Sequence, residues 1–314
     1  MKTQITVLAA AILMTTGLSA PAAAQYPDQT INVMIPFSAG GGTDVPGRFF
    51  AQEMEEILGT DIIVTNVEGA GGVIGATQLS QADPDGYSLG FMPVGTTTTQ
   101  PHMRETEYGA DSWEPICLVA QGPMYVTVPA DSDIQSIDDL VQQAQDSNVV
   151  TAGPPPGSLP HIGQAALAQM LGVDFNYIPH EGINAVAQSM LGGRVHMTVW
   201  FADAGERFGL RPLAILDSTR SEELPDIPTL GELGYENIEN YVWFGFFAPA
   251  GTSAEIVTTL AEACDQAVHS EGFTSNMDAA NRQVRYMPTD EFAEFFAAQF
   301  AANGERLRSL GLAN

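Results

Sequence analysis

The chain has 314 residues, 38 of them acidic and 11 basic, for a formal net charge of −27. So negative a field repels nucleic acid and anionic lipid surfaces, and neither is expected as a partner. Lys2 is the only lysine, so the chain has no phosphate-binding loop of the G-x-x-x-x-G-K-[ST] kind.

The chain opens with "MKTQITVLAAAILMTTGLSAPAAAQ", one charge followed by an apolar run that closes on Ala22-Ala23-Ala24. This pattern predicts a cleavable export signal over residues 1–24, with Gln25 as the first mature residue and a soluble periplasmic product. The run is shorter than the roughly 20 residues a spanning helix needs. "TINVMIPF" then predicts a central strand, because a near-continuous apolar run suits burial on both faces. Gly40, Gly41 and Gly42 follow, and Thr43 or Asp44 is placed to cap a helix that Gly59 ends. "TDIIVTNV" predicts a second strand, the glycine-rich "EGAGGVIGA" a loop, residues 76–82 a short helix, and "YSLGFMPV" a third strand. Repeated β-loop-α units of this kind argue for an α/β fold with mostly parallel sheets.

From Met124 the alternation starts again. "MYVTVPA", "NVVTAG", "FNYIPH", "VHMTVWFA" and "LRPLAILDS" predict strands, and "SIDDLVQQAQDS", "AALAQMLG" and "GINAVAQSMLGG" predict helices. The aromatic "YVWFGFFAPAG" leads back to two helices over residues 253–269 and 289–310. The simplest arrangement is two α/β lobes, residues 25–123 plus 246–314 and residues 124–245, joined by two crossing strands that act as a hinge. Cys117 and Cys264 both sit in apolar patterns. They read as small buried hydrophobes, and the sequence leaves open whether they meet. No His/Cys cluster has metal-ligand spacing, so neither metal nor cofactor is expected.

The triple glycine between a strand and a helix start carries the functional signal. Free N–H groups and the positive end of the helix dipole point there, which favours an anion. Gly40, Gly41, Ser38 and Thr43 are therefore candidate ligand-binding residues. The second loop, residues 69–76, runs G-x-G-x-x-x-G and misses the dinucleotide fingerprint. Gly71 and Gly72 read better as the other half of one anion cradle. "GTTTTQ", a polar loop by pattern, adds the hydroxyls of Thr96 and Thr97. "GPPPGSLPHIG" reads as a loop in which Gly157, Ser158 and His161 reach a ligand from the second lobe. The same Ser158 and His161 leave a periplasmic hydrolase as a rival reading, although no G-x-S-x-G elbow surrounds the serine.

Taken together, "IPFSAGGGTD", "NVEGAGGVIGA", "DPDGYSL", "SLPHI", "MLGGRVHM", "LPDIPTLGELG" and "WFGFFAPAGT" resemble, in that order, the Bug/TctC family. These are extracytoplasmic solute receptors of tripartite tricarboxylate transporters, and the resemblance spans residues 26–312. It implies a two-lobed periplasmic-binding-protein fold of type II-like form, non-catalytic, closing on a small organic anion: a di- or tricarboxylate or an aromatic acid. Membrane subunits of such a transporter are the implied partners, a signalling receptor is an alternative role, and a monomer is expected. The carry-over supports Phe37, Ser38, Gly41, Gly71, Gly72 and Thr96 from the first lobe and Gly157, Ser158 and His161 from the second. Where the family often has a carboxylate, this chain has "VHMTVW", which argues against an amino-acid ligand, with Asp203 nearby. Trp200 is then a candidate to pack on an apolar ligand body, or else an ordinary core tryptophan.

Overall fold

The structure, a computed structural model, describes residues 26–180, 182–280 and 282–314. The export signal read from residues 1–24 lies outside the described residues. The chain runs through β1 (Ile31–Ile35), α1 (Asp44–Leu58), β2 (Ile62–Asn66), α2 (Val73–Ser80), β3 (Ser88–Pro93), α3 (Gln100–Met103) and β4 (Trp113–Pro123). It continues through β5 (Tyr125–Pro129), α4 (Ile137–Asp146), β6 (Val149–Gly153), α5 (Leu159–Leu171), β7 (Phe175–Pro179), α6 (Ile183–Leu191), β8 (Thr198–Trp200), α7 (Ala204–Phe208) and β9 (Leu210–Ile215). It returns by β10 (Tyr241–Pro249) and ends with α8 (Ala254–Val268), α9 (Glu271–Ala279), β11 (Val284–Met287) and α10 (Thr289–Ser309).

Six strands form one sheet in the order β2-β1-β3-β10-β4-β11. The second layer consists of β5 between β8 and β9, and of β6 beside β7, with a parallel bridge from Thr151 to Met197 linking the two sets. Two lobes result, one built on each layer. The chain crosses between them at Pro123–Tyr125 and again at Asn240–Tyr241, and the crossings are tied together: Met124 N–H donates to Asn240 O at 3.2 Å and Leu216 N–H to Met124 O at 2.8 Å.

The expectation of mostly parallel sheets needs correction, because both layers are mixed. β1 pairs parallel with β2 and β3, but β10 runs antiparallel to β3 and β4, and β11 to β4. Likewise β5 runs against β8 and β9. The cause lies in the crossings. Strands β1 to β3 point their carboxyl ends at the cleft, so a strand entering from the cleft must run the other way. β10 and β5 are those strands.

β1 buries Ile31, Val33, Met34 and Ile35 as a central strand should. Phe50 on α1 packs on Phe91, Phe246 and Phe273; fully burying one such ring contributes about 1.5–3 kcal/mol. Residues alternate along β10. Trp243 faces the phenylalanines of α10, while Val242 and Phe244 face the cleft. Cys117 and Cys264 are fully buried, but they are not free hydrophobes: they form a disulfide that fastens β4 to α8.

Candidate functional site

The loop after β1 is braced from below by Asp44, the first residue of α1. Its Oδ2 accepts from Gly40 N–H and Arg48 Nε, both at 2.8 Å, and its Oδ1 from Asn66 Nδ2 at 2.7 Å. Burial opposes ionisation of this carboxyl, but the hydrogen bonds from Arg48, Gly40 and Asn66 outweigh burial and hold it below the usual carboxylate range. Thr43 occupies the cap position without capping, so its side chain is left to line the cleft. The three glycines have separate reasons. Gly40 adopts φ +72°; Gly41 lies over Ser38 O, where a Cβ would come within 3.0 Å; and Gly42 faces Phe201, 3.0 Å from where its Cβ would be.

The threonine run is not the polar loop its pattern suggests. Residues 95–99 form a fully buried turn of π-helix running into α3. The hydroxyl of Thr96 donates to Gly71 O at 3.3 Å and that of Thr97 to Pro93 O at 3.3 Å. Both serve the scaffold, and Pro93, Val94 and Gly95 line the cleft instead. Gly72 is pressed against the Thr96 side chain, so a Cβ would not fit, while Gly71 reaches the cleft.

From the opposite lobe, α5 begins earlier than expected, at Leu159, so Ser158 is its cap residue and His161 lies in its first turn. Ser158 lines the cleft, and its Oγ donates to Pro154 O at 3.2 Å. His161 does not line it. Its Nδ1 accepts from Gly157 N–H at 3.3 Å, its ring meets Tyr177, and burial pushes its pKa down. Ser158 and His161 thus spend their polar atoms on different partners and do not pair as nucleophile and base. His196, in the run where the family often has a carboxylate, accepts from Val150 N–H at 2.9 Å through Nδ1 and braces the sheet.

The cleft holds a cavity of about 80 Å³. Of the residues expected to bind ligand, Phe37, Ser38, Gly41, Thr43, Gly71, Ser158 and Trp200 line it; Gly40, which is exposed, and Gly72, Thr96, Thr97, Gly157 and His161 do not. Gly42, the last of the triple glycine, lines it too; missed by sequence reasoning were Gly182 and Ile183 near a helix start, and an apolar wall that includes Leu159, Phe201, Val242 and Phe244. A glycine before a helix was the available signal for Gly182, in "HEGIN". A Cβ on Gly182 would come 4.0 Å from Ser38 Oγ, so the two lobes nearly touch across the cavity.

Among the described residues, no charged side chain lines the cavity. Its polarity comes from the main chain. The amino-terminal ends of α1, α2, α5 and α6 converge on it, and none of the four has a side-chain cap. By contrast, Ser136, Ser253 and Ser270 cap α4, α8 and α9. Bare helix amino termini concentrate N–H donors and positive potential, a setting that attracts anions. The place also fits the rule for open α/β sheets, in which ligands sit at the carboxyl ends of strands where the chain turns to opposite sides; here that point lies between β1 and β3.

Residues 47–312 match the family model described as the tripartite tricarboxylate transporter family receptor, TctC. A UPF0065 protein from the gbd 5′ region of Cupriavidus necator is 32% identical over 95% of this chain and 93% of its own length. Among solved structures, the periplasmic binding protein BugD aligns over 92% of this chain and 99% of its own, at 28% identity and a TM-score of 0.85. MatC of Rhodopseudomonas palustris, solved with bound malate, aligns over 90% and 100% at 25% identity and a TM-score of 0.83. A second R. palustris protein, solved with adipate, aligns over 92% and 99% at 25% identity and a TM-score of 0.85.

Proposed function

The chain belongs to the TctC family of tripartite tricarboxylate transporter receptors, and from that premise we propose that it is a periplasmic receptor for a small organic carboxylate. In this reading the lobes are residues 25–123 plus 246–314 and residues 124–245, except that residues 241–245 go with the first lobe, because β10 lies whole in the six-stranded sheet and the crossing precedes it. The first lobe receives a carboxylate on the amides of Gly42, Thr43 and Gly71, helped by the hydroxyls of Ser38 and Thr43, while the Gly41 amide is spent on Ser38 O in the turn that shapes the loop. The second lobe closes over it with the amino ends of α5 and α6. The closed form then delivers the acid to the transporter's membrane subunits. Hydrogen bonds to a charged acceptor contribute about 1.5–3 kcal/mol each, so a few suffice for the roughly −8 kcal/mol of micromolar binding.

The observation that carries the reading is the convergence of four uncapped helix amino termini on a cavity with no charged side chain among the described residues. It explains how a chain of net charge −27 attracts an anion. The solved relatives with malate and adipate favour a di- or tricarboxylate; the apolar wall of Phe37, Trp200, Phe201 and Phe244 keeps an aromatic acid as a second candidate. A thermal-shift screen of carboxylates, amino acids and neutral sugars tests the proposal. A ligand at 100 times its Kd raises stability by about 2.7 kcal/mol, and the expected hits are carboxylates without an amino group. Largest shifts from amino acids or sugars would refute it.

A further inference from the structure

Behind the cavity lies an ion pair that binding itself does not require. Asp203 follows β8 in one sheet, and Arg282 precedes β11 in the other. Arg282 Nη2 is 3.2 Å from Asp203 Oδ2, with the two side chains only 6% and 2% exposed. The same Asp203 oxygen accepts from Arg207 Nη1 at 2.8 Å on the half-exposed side. The Arg282 guanidinium carbon also sits over Phe201, 3.8 Å from its ring centre. Phe201 lines the cavity, and its edge faces Gly42 of the first glycine loop.

The pair is poorly satisfied for one so deeply buried. Nε and Nη1 of Arg282 and Oδ1 of Asp203 have no hydrogen-bond partner among the described residues. Buried pairs with unmet hydrogen bonds are poor sources of stability, and their best-attested use is to select one arrangement over another. The arrangement selected here is the approach of the two sheets. Covalently they are joined only through the crossings at Pro123–Tyr125 and Asn240–Tyr241 and so can rotate about them, and any opening draws Asp203 away from Arg282.

We propose that Asp203 and Arg282 form a clasp between the lobes that favours the closed arrangement and holds Phe201 as the back wall of the cavity. Arg282 is then a positioning residue: it acts on a bound molecule through Phe201 and through closure, without touching it. The role in retaining ligand rests on the carboxylate-receptor reading above; the clasp itself does not.

The double substitution Asp203→Asn with Arg282→Met removes both charges of the pair at similar volume, and at pH 6 the neighbouring Glu223 carboxyl is neutral, so no lone buried ion is left and the protein is expected to fold with an unchanged or higher Tm. Spin labels on cysteines at the exposed positions Ile63 and Ile178, one in each sheet, report the distance between lobes in protein alone and with malate or adipate added. In the wild type a short, closed distance is expected in at least one of these conditions. In the double variant the ratio of closed to open protein should fall at least tenfold, and Arg282→Lys should recover part of it. An unchanged distance distribution with an altered Tm would make the pair merely structural and overturn the clasp. A wild type that never shows the short distance would overturn it as well. Failure of the acids to raise the wild-type Tm would count against the receptor reading alone, since the distances in protein alone still decide the clasp.

Discussion

Glu223 shows how one buried side chain can set a pH response. Burial, reinforced by Asp203 and Asp278 and only partly offset by Arg282, pushes its carboxyl up to about 7 from an ordinary value of 4.5. The folded chain therefore holds this proton more tightly than the unfolded chain does. Between the two values the native state binds more protons, so this residue's contribution to stability is lost as pH rises through that window and stays lost above it. Glu223→Gln should match the wild type near pH 4 and exceed it at pH 8 by about 1 kcal/mol, a figure discounted for partial exposure; urea melts of both proteins at the two pH values check this. Equal stability at pH 8 would show that the site is better solvated than its packing implies. At this scale the sequence was legible where position is local. Ser38, Gly41 and Thr43 reach the cleft because they follow β1 directly. Thr96 and Thr97 were misread because a run of hydroxyls does not reveal whether neighbouring carbonyls will claim them. Phe201 and Phe244 were invisible, since only the crossing of two distant strands brings them together.

The elements that set the site are strand ends and helix starts, and most were readable from spacing. α1 ends at Gly59 in the left-handed conformation, as its position suggested, and α8 starts after Ser253, whose side chain accepts from Ile256 N–H. The short elements α7 and β11 were not read, because too few residues lie in each for a periodic pattern to stand out; α9 is as long as α6 but buries only Phe273 and Met277, too narrow an apolar stripe to show as a pattern. The disulfide escaped for a related reason: apolar surroundings describe burial, not proximity. It joins residues separated by 147 positions and fastens the crossing strand β4 to a helix on the far side of its sheet. Replacing both cysteines by alanine should lower stability by about 2–5 kcal/mol, the usual cost of losing a bridge that closes a long loop. Urea melts should show a lower midpoint with ligand binding intact, because neither cysteine approaches the cavity. An unchanged midpoint would mean that the bridge constrains little in the unfolded chain.

For the molecule as a whole, charge is the dominant fact. A net −27 on a chain of this size makes the compact state repel itself, and salt relieves that repulsion by shortening the Debye length to about 3 Å at 1 M. Raising sodium chloride from 0.05 to 1 M should lift the Tm by at least about 3 °C, equivalent to about 1 kcal/mol for a chain of this length; a flat or falling curve would show that repulsion among the acidic residues is no weaker in the unfolded chain than in the folded one. The two-lobed plan was legible because the β-loop-α rhythm restarts at Met124, whereas strand direction at the crossings was not, since it depends on where β10 inserts. One property of the cleft reaches beyond any single acid. Every residue except proline has an amide hydrogen, so a point substitution at a bare helix start seldom deletes the donor there. Mutation can therefore recarve the wall of Phe37, Leu159, Trp200 and Phe244, and with it the size and shape of the guest, while the preference for negative charge is inherited unchanged.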